Sequence, residues 1–213
     1  AAARARRGAG TVTEVAIQAA ALSAEQRDRR RRVIDAAFEL GAEHGYEAVQ
    51  MRDVSAIANV SLATIYRYFS SKDHLLAAAM TEWTARLQAR VAQSPPRGDT
   101  AADQLIDVLN RGCRAMARQP KLSAALVRAL SSSDEGVRES AEAVQQQIEA
   151  MASGILVDLA PEVRSDILAV LGHVWYSTLV AWANGRIDFD QVTAELDRAV
   201  HVLVDPYDRR PAR

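Results

Sequence analysis

Residues 51–76 read MRDVSAIANVSLATIYRYFSSKDHLL, and every other segment is best placed by reference to them. Val54, Ile57 and Ala58 recur at i, i+3 and i+4, the spacing of one apolar helical face. Asn59 follows, a residue that tolerates the left-handed backbone of a tight turn. Ser61 is placed to cap a further short helix that runs to Phe69. Two short helices about a turn on Asn59-Val60 have the spacing of a helix-turn-helix, whose second helix enters a DNA major groove.

At about 100° per residue, Ile65 and Phe69 share the inward face of that second helix. Ala63 and Arg67 lie opposite, with Thr64, Tyr66 and Tyr68 on the flanks. A small residue lets the helix approach base edges, and the three hydroxyls can donate to phosphate oxygens. Arg52, near the start of the preceding helix, can reach a guanine through two parallel hydrogen bonds. Lys72 begins the next helix, where its ammonium and the free backbone N–H groups both attract phosphate. The same spacing also fits a pair of packed helices in an ordinary α-protein, so both readings stand at this point.

Working outward, helical periodicity continues and strand signals are nearly absent. Val33, Ala37 and Leu40 line a first helix from about Glu25, closed by Gly45. A long fourth helix runs from Lys72 to about Gln93, and Ser94-Pro95-Pro96-Arg97-Gly98 is a linker. Five more helices follow: Thr100 to Gln119, Lys121 to Ser131, Asp134 to Asp158 across Gly154, Pro161 to Asn184, and Asp188 to Val204. The expected architecture is all-α, about nine helices. Residues 1–24 read as a flexible basic arm, 25–71 as the helix-turn-helix domain, 72–204 as a ligand-binding and dimerisation domain, and 205–213 as a frayed tail.

Composition limits the alternatives. With 213 residues, 49% hydrophobic and 25% charged, the chain can bury a sizeable core and is not disordered. No run approaches the ~18 consecutive apolar residues of a membrane span, the arm with Arg4, Arg6 and Arg7 lacks the apolar core of a secretory signal, and the expected location is the cytoplasm. The single cysteine, Cys113, excludes a disulfide framework. Four scattered histidines, with no HExxH, Walker or dinucleotide fingerprint, give no catalytic site, no metal site and no cofactor. Residues 1–80 carry 11 basic and 9 acidic side chains against 15 and 18 in the remainder, so a weakly basic front precedes an acidic rear. The run Arg27, Arg29 to Arg32 is more often a solvated helix face than a nucleic-acid patch.

The segments Gly45 to Val49, Met51 to Val54, Ala58 to Ser61 and Thr64 to Leu76 resemble the DNA-binding segment of TetR-family transcriptional repressors, over about Arg29 to Met80. Its T-x-Y-x-x-F-x-x-K-x-x-L run is the family's most recognisable stretch. The resemblance implies that Arg52, Leu62, Ala63 and Arg67 face bases, while Thr64, Tyr66, Tyr68 and Lys72 hold phosphates. Gln50, Ser55 and Asn59 depart from the family's usual capping Thr or Ser, small Ala, and Gly. Gly45 to Met51, Leu109 to Gln119 and Val174 to Ala183 look like the KstR-type repressors of steroid catabolism, which implies a steroid-derived acyl-CoA or related lipid as effector.

The second half offers residues for such a role. Leu109, Cys113 and Met116 on the fifth helix, Leu126 and Leu130 on the sixth, Met151 and Ile155 on the seventh, and Leu171, Trp175 and Leu179 on the eighth suit an apolar cavity. Each residue alone equally suits simple core packing. A CoA would need cations at the mouth, and Arg111, Arg114, Arg118 and Lys121 are the nearest. Palindromic operators are read by two-fold dimers, and Leu168, Trp182, Leu196, Val200 and Leu203 on the last two helices could form a four-helix interface. The expected function is therefore a dimeric, ligand-released repressor on a double-stranded operator. The alternatives are a helical interaction module that never binds nucleic acid, or a multidrug-responsive regulator.

Overall fold

The computed structural model describes residues 22–207. The basic arm with Arg4, Arg6 and Arg7, and the tail beyond Tyr207, lie outside the described residues. Nine α-helices are present among them, with one 3-10 turn (Tyr46–Ala48) and no strand: α1 (Ala24–His44), α2 (Met51–Ala58), α3 (Leu62–Tyr68), α4 (Lys72–Gln93), α5 (Ala101–Ala117), α6 (Pro120–Leu130), α7 (Glu135–Ser153), α8 (Pro161–Ala183) and α9 (Phe189–Val204).

The helix starts follow from short polar side chains. Ser23 with Gln26, Thr100 with Asp103 and Asp188 with Gln191 form reciprocal capping boxes at α1, α5 and α9. Pro161 occupies the first turn of α8, where its missing N–H costs nothing. Gly45 ends α1 at φ 81, and Asn59 ends α2 in the left-handed conformation at φ 50, ψ 49. One expected helix is shorter. α7 stops at Ser153 rather than near Asp158, because Gly154 admits turns there: Ile155 N–H bonds Ala152 O and Leu159 N–H bonds Leu156 O. Those turns bury Leu156 and leave Ile155 off the helix and half-buried.

The chain packs as two units. Among the described residues, the first comprises everything up to Trp83 together with Lys121–Gln146, and the second comprises Thr84–Pro120 together with everything from Gln147. The packing units are thus not the same segments as the domains expected from sequence. In the first unit, α1 packs on α2 and α3 through Val33, Ile34, Ala37, Val54, Ile65 and Phe69, all nearly inaccessible to solvent. Gly41 lets α6 come close, since a Cβ there would lie 2.9 Å from Leu122 Cδ1. In the second unit, α9 packs on α5 and α8, with Leu105, Cys113, Met116, Trp175, Leu196 and Val200 buried.

Candidate nucleic-acid interface and a cationic cleft

The turn between α2 and α3 is closed locally. Asn59 N–H bonds Ala56 O, Val60 N–H bonds Ser55 O, and the Ser55 hydroxyl donates to Val60 O at 2.7 Å. Ser55, the small polar residue at a position where alanine is usual in such motifs, therefore ties the turn. Ser61 caps α3, accepting from Thr64 N–H at 3.2 Å, and its hydroxyl bonds the Thr64 hydroxyl at 2.8 Å. Gln50 makes no capping bond at α2; its amide donates instead to Glu47 O at 2.8 Å.

This framework fixes what points where. Ile65 and Phe69 are 0% and 1% exposed. Arg52, Ala63, Tyr66 and Arg67 are exposed, while Leu62, Thr64, Tyr68 and Lys72 are half-buried. Four of the eight residues expected at the duplex are thus exposed and four half-buried. The preceding α1 arginines are otherwise engaged: Arg29 pairs with Glu25 at 2.9 Å, Arg30 with Glu82 at 3.0 Å, Arg31 with Asp35 at 3.7 Å and Arg32 with Asp28 at 3.3 Å. Arg29 to Arg32 thus form a paired helix face, and Arg27 donates to Leu22 O.

Lys72 has neighbours that sequence reading missed. Its ammonium lies 4.0 Å from the Tyr46 ring centroid and donates to the Tyr46 carbonyl at 3.4 Å. The Tyr46 hydroxyl donates to Asp73 at 2.5 Å, and burial, with the Asp73 carboxylate, pushes its pKa up to about 12. Arg128 of α6 sits 4.0 Å from the same centroid and bonds Glu47 at 2.8 Å. Nearby, the His74 Nδ1 accepts from Ser70 N–H at 3.2 Å, and Asp134 accepts from the Ser70 hydroxyl at 3.1 Å and from Gly136 N–H at 2.8 Å. Serine, histidine and aspartate are hydrolase residue types, and the Ser70 hydroxyl lies 3.2 Å from His74 Nδ1, but that nitrogen already accepts from the Ser70 N–H and the hydroxyl donates to Asp134. They form a cap between helix starts.

In the second unit, Leu109, Cys113, Met116, Met151, Leu171, Trp175 and Leu179 are buried. Of the remaining residues expected around an effector, Leu126 is buried in the first unit and Leu130 is half-buried there. Gly112 gives the Trp175 ring room, as a Cβ would lie 3.0 Å from its edge. The Trp175 Nε1 is buried with no hydrogen-bond acceptor among the described residues. Burial pushes the Cys113 thiol up to about 11, which makes it a poor nucleophile.

A cleft of about 360 Å³ in the same unit is lined by Arg90, Arg97, Arg111, Arg114 and Arg118 around Leu87, Val91 and Ala115. Arg111 is anchored by Asp107 at 2.5 Å and by the Ser94 and Pro95 carbonyls. Burial raises the Asp107 carboxyl pKa, but the Arg97 N–H, the Arg111 guanidinium and nearby Arg114 outweigh it and hold the group below the usual carboxylate range. The other four arginines have no ion pair among the described residues. Lys121, the fourth cation expected from sequence, is not part of the cleft and donates instead to Glu43 O at 2.9 Å. Arg90 and Arg97 were not foreseen, because one precedes the linker in sequence and the other lies within it.

Comparison with known proteins agrees with this geometry. Residues 33–79 match the family model for bacterial regulatory proteins of the tetR family, and residues 98–203 match that for the tetracyclin repressor-like C-terminal domain. The chain is 36% identical over 187 residues to the HTH-type transcriptional repressor KstR of Mycobacterium tuberculosis (strain ATCC 25618 / H37Rv), covering 87% of this chain and 85% of that one. A TetR transcriptional regulator from Rhodococcus sp. RHA1 superposes with a TM-score of 0.76 at 28% identity, over 84% of this chain and 97% of that one. The fold is shared also with Thermus thermophilus FadR in complex with lauroyl-CoA, at TM-score 0.68 and 20% identity over 86% and 98% of the two chains.

Proposed function

Because this chain belongs to the TetR family of transcriptional regulators, we propose that it is a repressor whose hold on a DNA operator is released by a small acyl-CoA effector. One observation carries the DNA half: α3 is anchored by two fully buried side chains while Tyr66 and Arg67 on it, and Arg52 on α2, are exposed, the two arginines without ion pairs among the described residues. Arg52, Leu62, Ala63 and Arg67 would meet bases, and Thr64, Tyr66, Tyr68 and Lys72 phosphates. A protein that works on an operator works where the DNA is, in the cytoplasm.

The effector half rests on chemistry of two kinds in one unit. The apolar residues Leu109, Cys113, Met116, Met151, Leu171, Trp175 and Leu179 suit an acyl or steroid moiety, and the Trp175 N–H offers a donor to its carbonyl. Ile155 completes the proposed lining; Leu126 and Leu130, which belong to the first unit, are left out of it. The arginine cleft suits the phosphates of CoA, since guanidinium groups pair with phosphate through parallel hydrogen bonds. That FadR was crystallised with lauroyl-CoA supports the class.

Release is a population shift: the effector must bind the state with the wrong recognition-helix spacing about 10⁴-fold more tightly for a complete switch. The two helices are spaced by a homodimer. α8 supplies its apolar face, because Val170 and Tyr176 remain 44% and 42% exposed on a helix whose length and composition would even suit a membrane. Leu196 and Val200 of α9 are already buried within the unit, so they are not available to a partner as the sequence suggested. Leu168, Trp182 and Leu203 stay half-buried.

Fluorescence anisotropy tests the proposal, using duplexes the full chain selects from a random pool. Affinity should fall steeply with salt, Tyr66→Phe should weaken all sequences alike, and Arg52→Ala should also blunt sequence preference. Lauroyl-CoA or a steroid acyl-CoA should release the DNA where CoA alone and free fatty acid do not. Salt-insensitive or absent duplex binding would leave only a helical interaction module, and release by neutral drug-like compounds alone would reassign the effector.

A further inference from the structure

The Tyr46 ring has a cation from α6 and a cation from α4 against it, both 4.0 Å from its centroid. Both cations therefore lie against the one phenol, which links Arg128 of α6 to Lys72 of α4. Each member of the cluster is fixed. The hydroxyl is held by Asp73, the next residue after Lys72. The guanidinium is held by Glu47, the next residue after Tyr46. The Lys72 ammonium is held by the Tyr46 carbonyl.

We propose that Arg128 is a positioning residue for the phosphate contact of Lys72, acting through the Tyr46 ring, and that through it α6 regulates DNA affinity without touching DNA. This rests on the assignment of Lys72 to a phosphate. A lysine side chain has several freely rotating bonds, and ordering them on a phosphate opposes binding. Here the ammonium is already restrained at the start of α4, by a ring and a carbonyl that are weaker partners than a phosphate, so it is ordered yet exchangeable. Arg128 supplies the restraint on the ring. Its guanidinium carbon lies 4.0 Å from the ring centroid, and a planar guanidinium holds an aromatic face in a way an ammonium does not reproduce. Arg128 lies within residues 98–203, the segment matched by the C-terminal domain of the family, whereas Tyr46 and Lys72 lie within the DNA-binding segment, 33–79. A movement of α6 that lifts Arg128 from the ring frees Tyr46 and loosens Lys72, which weakens the duplex contact while α3 stays intact.

A double-mutant cycle on the full chain tests the inference, with duplex affinity measured at several salt concentrations and folding checked by circular dichroism. Lys72→Ala should weaken all sequences alike and reduce the salt slope by about one. Arg128→Ala should weaken binding by about 3- to 5-fold in the parent chain but by less than about 1.5-fold in the Lys72→Ala chain, since contacting residues couple and independent ones add. Arg128→Lys keeps the charge and loses the stack, and should behave like Arg128→Ala. Equal losses in both backgrounds, or full function in Arg128→Lys, would overturn the relay and assign Arg128 a general electrostatic or structural part. If Lys72→Ala leaves affinity unchanged while Arg52→Ala does not, the relay fails and the DNA-binding function stands; if neither matters, the function itself fails.

Discussion

His74 shows how much one side chain is asked to do near the recognition helix. Its ring is half-buried, edge-on to Phe69 at 5.5 Å, and its Nδ1 accepts from Ser70 N–H. Burial pushes its pKa down, Asp134 pulls it up and Arg30 pushes it down, and the net result is a lowered value. The unfolded chain therefore binds more protons just below pH 6.5, so the stability held by neutral His74 is full above that pH and is lost as pH falls toward the folded pKa. His201 runs the other way, raised mainly by its hydrogen bond to Asp205, so the whole-protein profile mixes both signs. The difference between the parent and His74→Asn isolates the first: the parent's melting temperature should drop more between pH 7 and pH 5. A difference that stays constant with pH would refute this. Gly136 belongs to the same seat, because a Cβ there would lie 2.3 Å from His74 Nδ1. Gly136→Ala should cost about 1–3 kcal/mol by forcing the ring out, visible as a lower melting temperature.

Among the elements, α3 is the most dependent on its ends. Seven residues make fewer than two helical turns, too few to persist without tertiary support. Support comes from Ile65 and Phe69 beneath and from the Ser61 cap in front. Ser61→Ala should remove about 1 kcal/mol of local stability, raising amide exchange in α3 with little change in global melting. If duplex binding requires the formed helix, affinity falls by no more than about 5-fold. Unchanged exchange would mean that burial alone holds the helix. The α2–α3 pair and its turn were legible in the sequence because each device is local: an asparagine that accepts the left-handed region, a serine cap, apolar residues four apart. The end of α7 was not, since one glycine inside a helical pattern costs only about 1 kcal/mol, and the burial of Leu156 by the following turns decides the matter.

For the whole molecule, the governing quantity is the apolar surface that one chain leaves uncovered. Along α8, Ala169, Val170, His173, Tyr176, Ser177 and Val180 recur at three- and four-residue steps on the side away from the buried Leu171, Trp175 and Leu179. Under the proposed function, a second copy of the chain is the partner that a two-fold operator demands. Val170→Asp should therefore shift sedimentation equilibrium toward monomer and lower operator affinity by at least tenfold, while leaving the helical signal intact. A Val170→Asp chain that stays dimeric would place the interface elsewhere.

Sequence by itself determined the all-α class, the helix-turn-helix, the inward pair Ile65 and Phe69 and the outward residues of α3, because periodicity, capping and turn chemistry act within a few residues of each other. Only the tertiary structure decided three other matters. It brought Arg90, before the linker, and Arg97, within it, to Arg111, Arg114 and Arg118, turned Leu196 and Val200 of α9 inward, and placed Arg128 and Lys72 against the Tyr46 ring. These depend on which helix faces meet. An apolar row or a lone arginine looks the same in sequence whether it meets its own chain, a second copy or a ligand, and only packing separates the three.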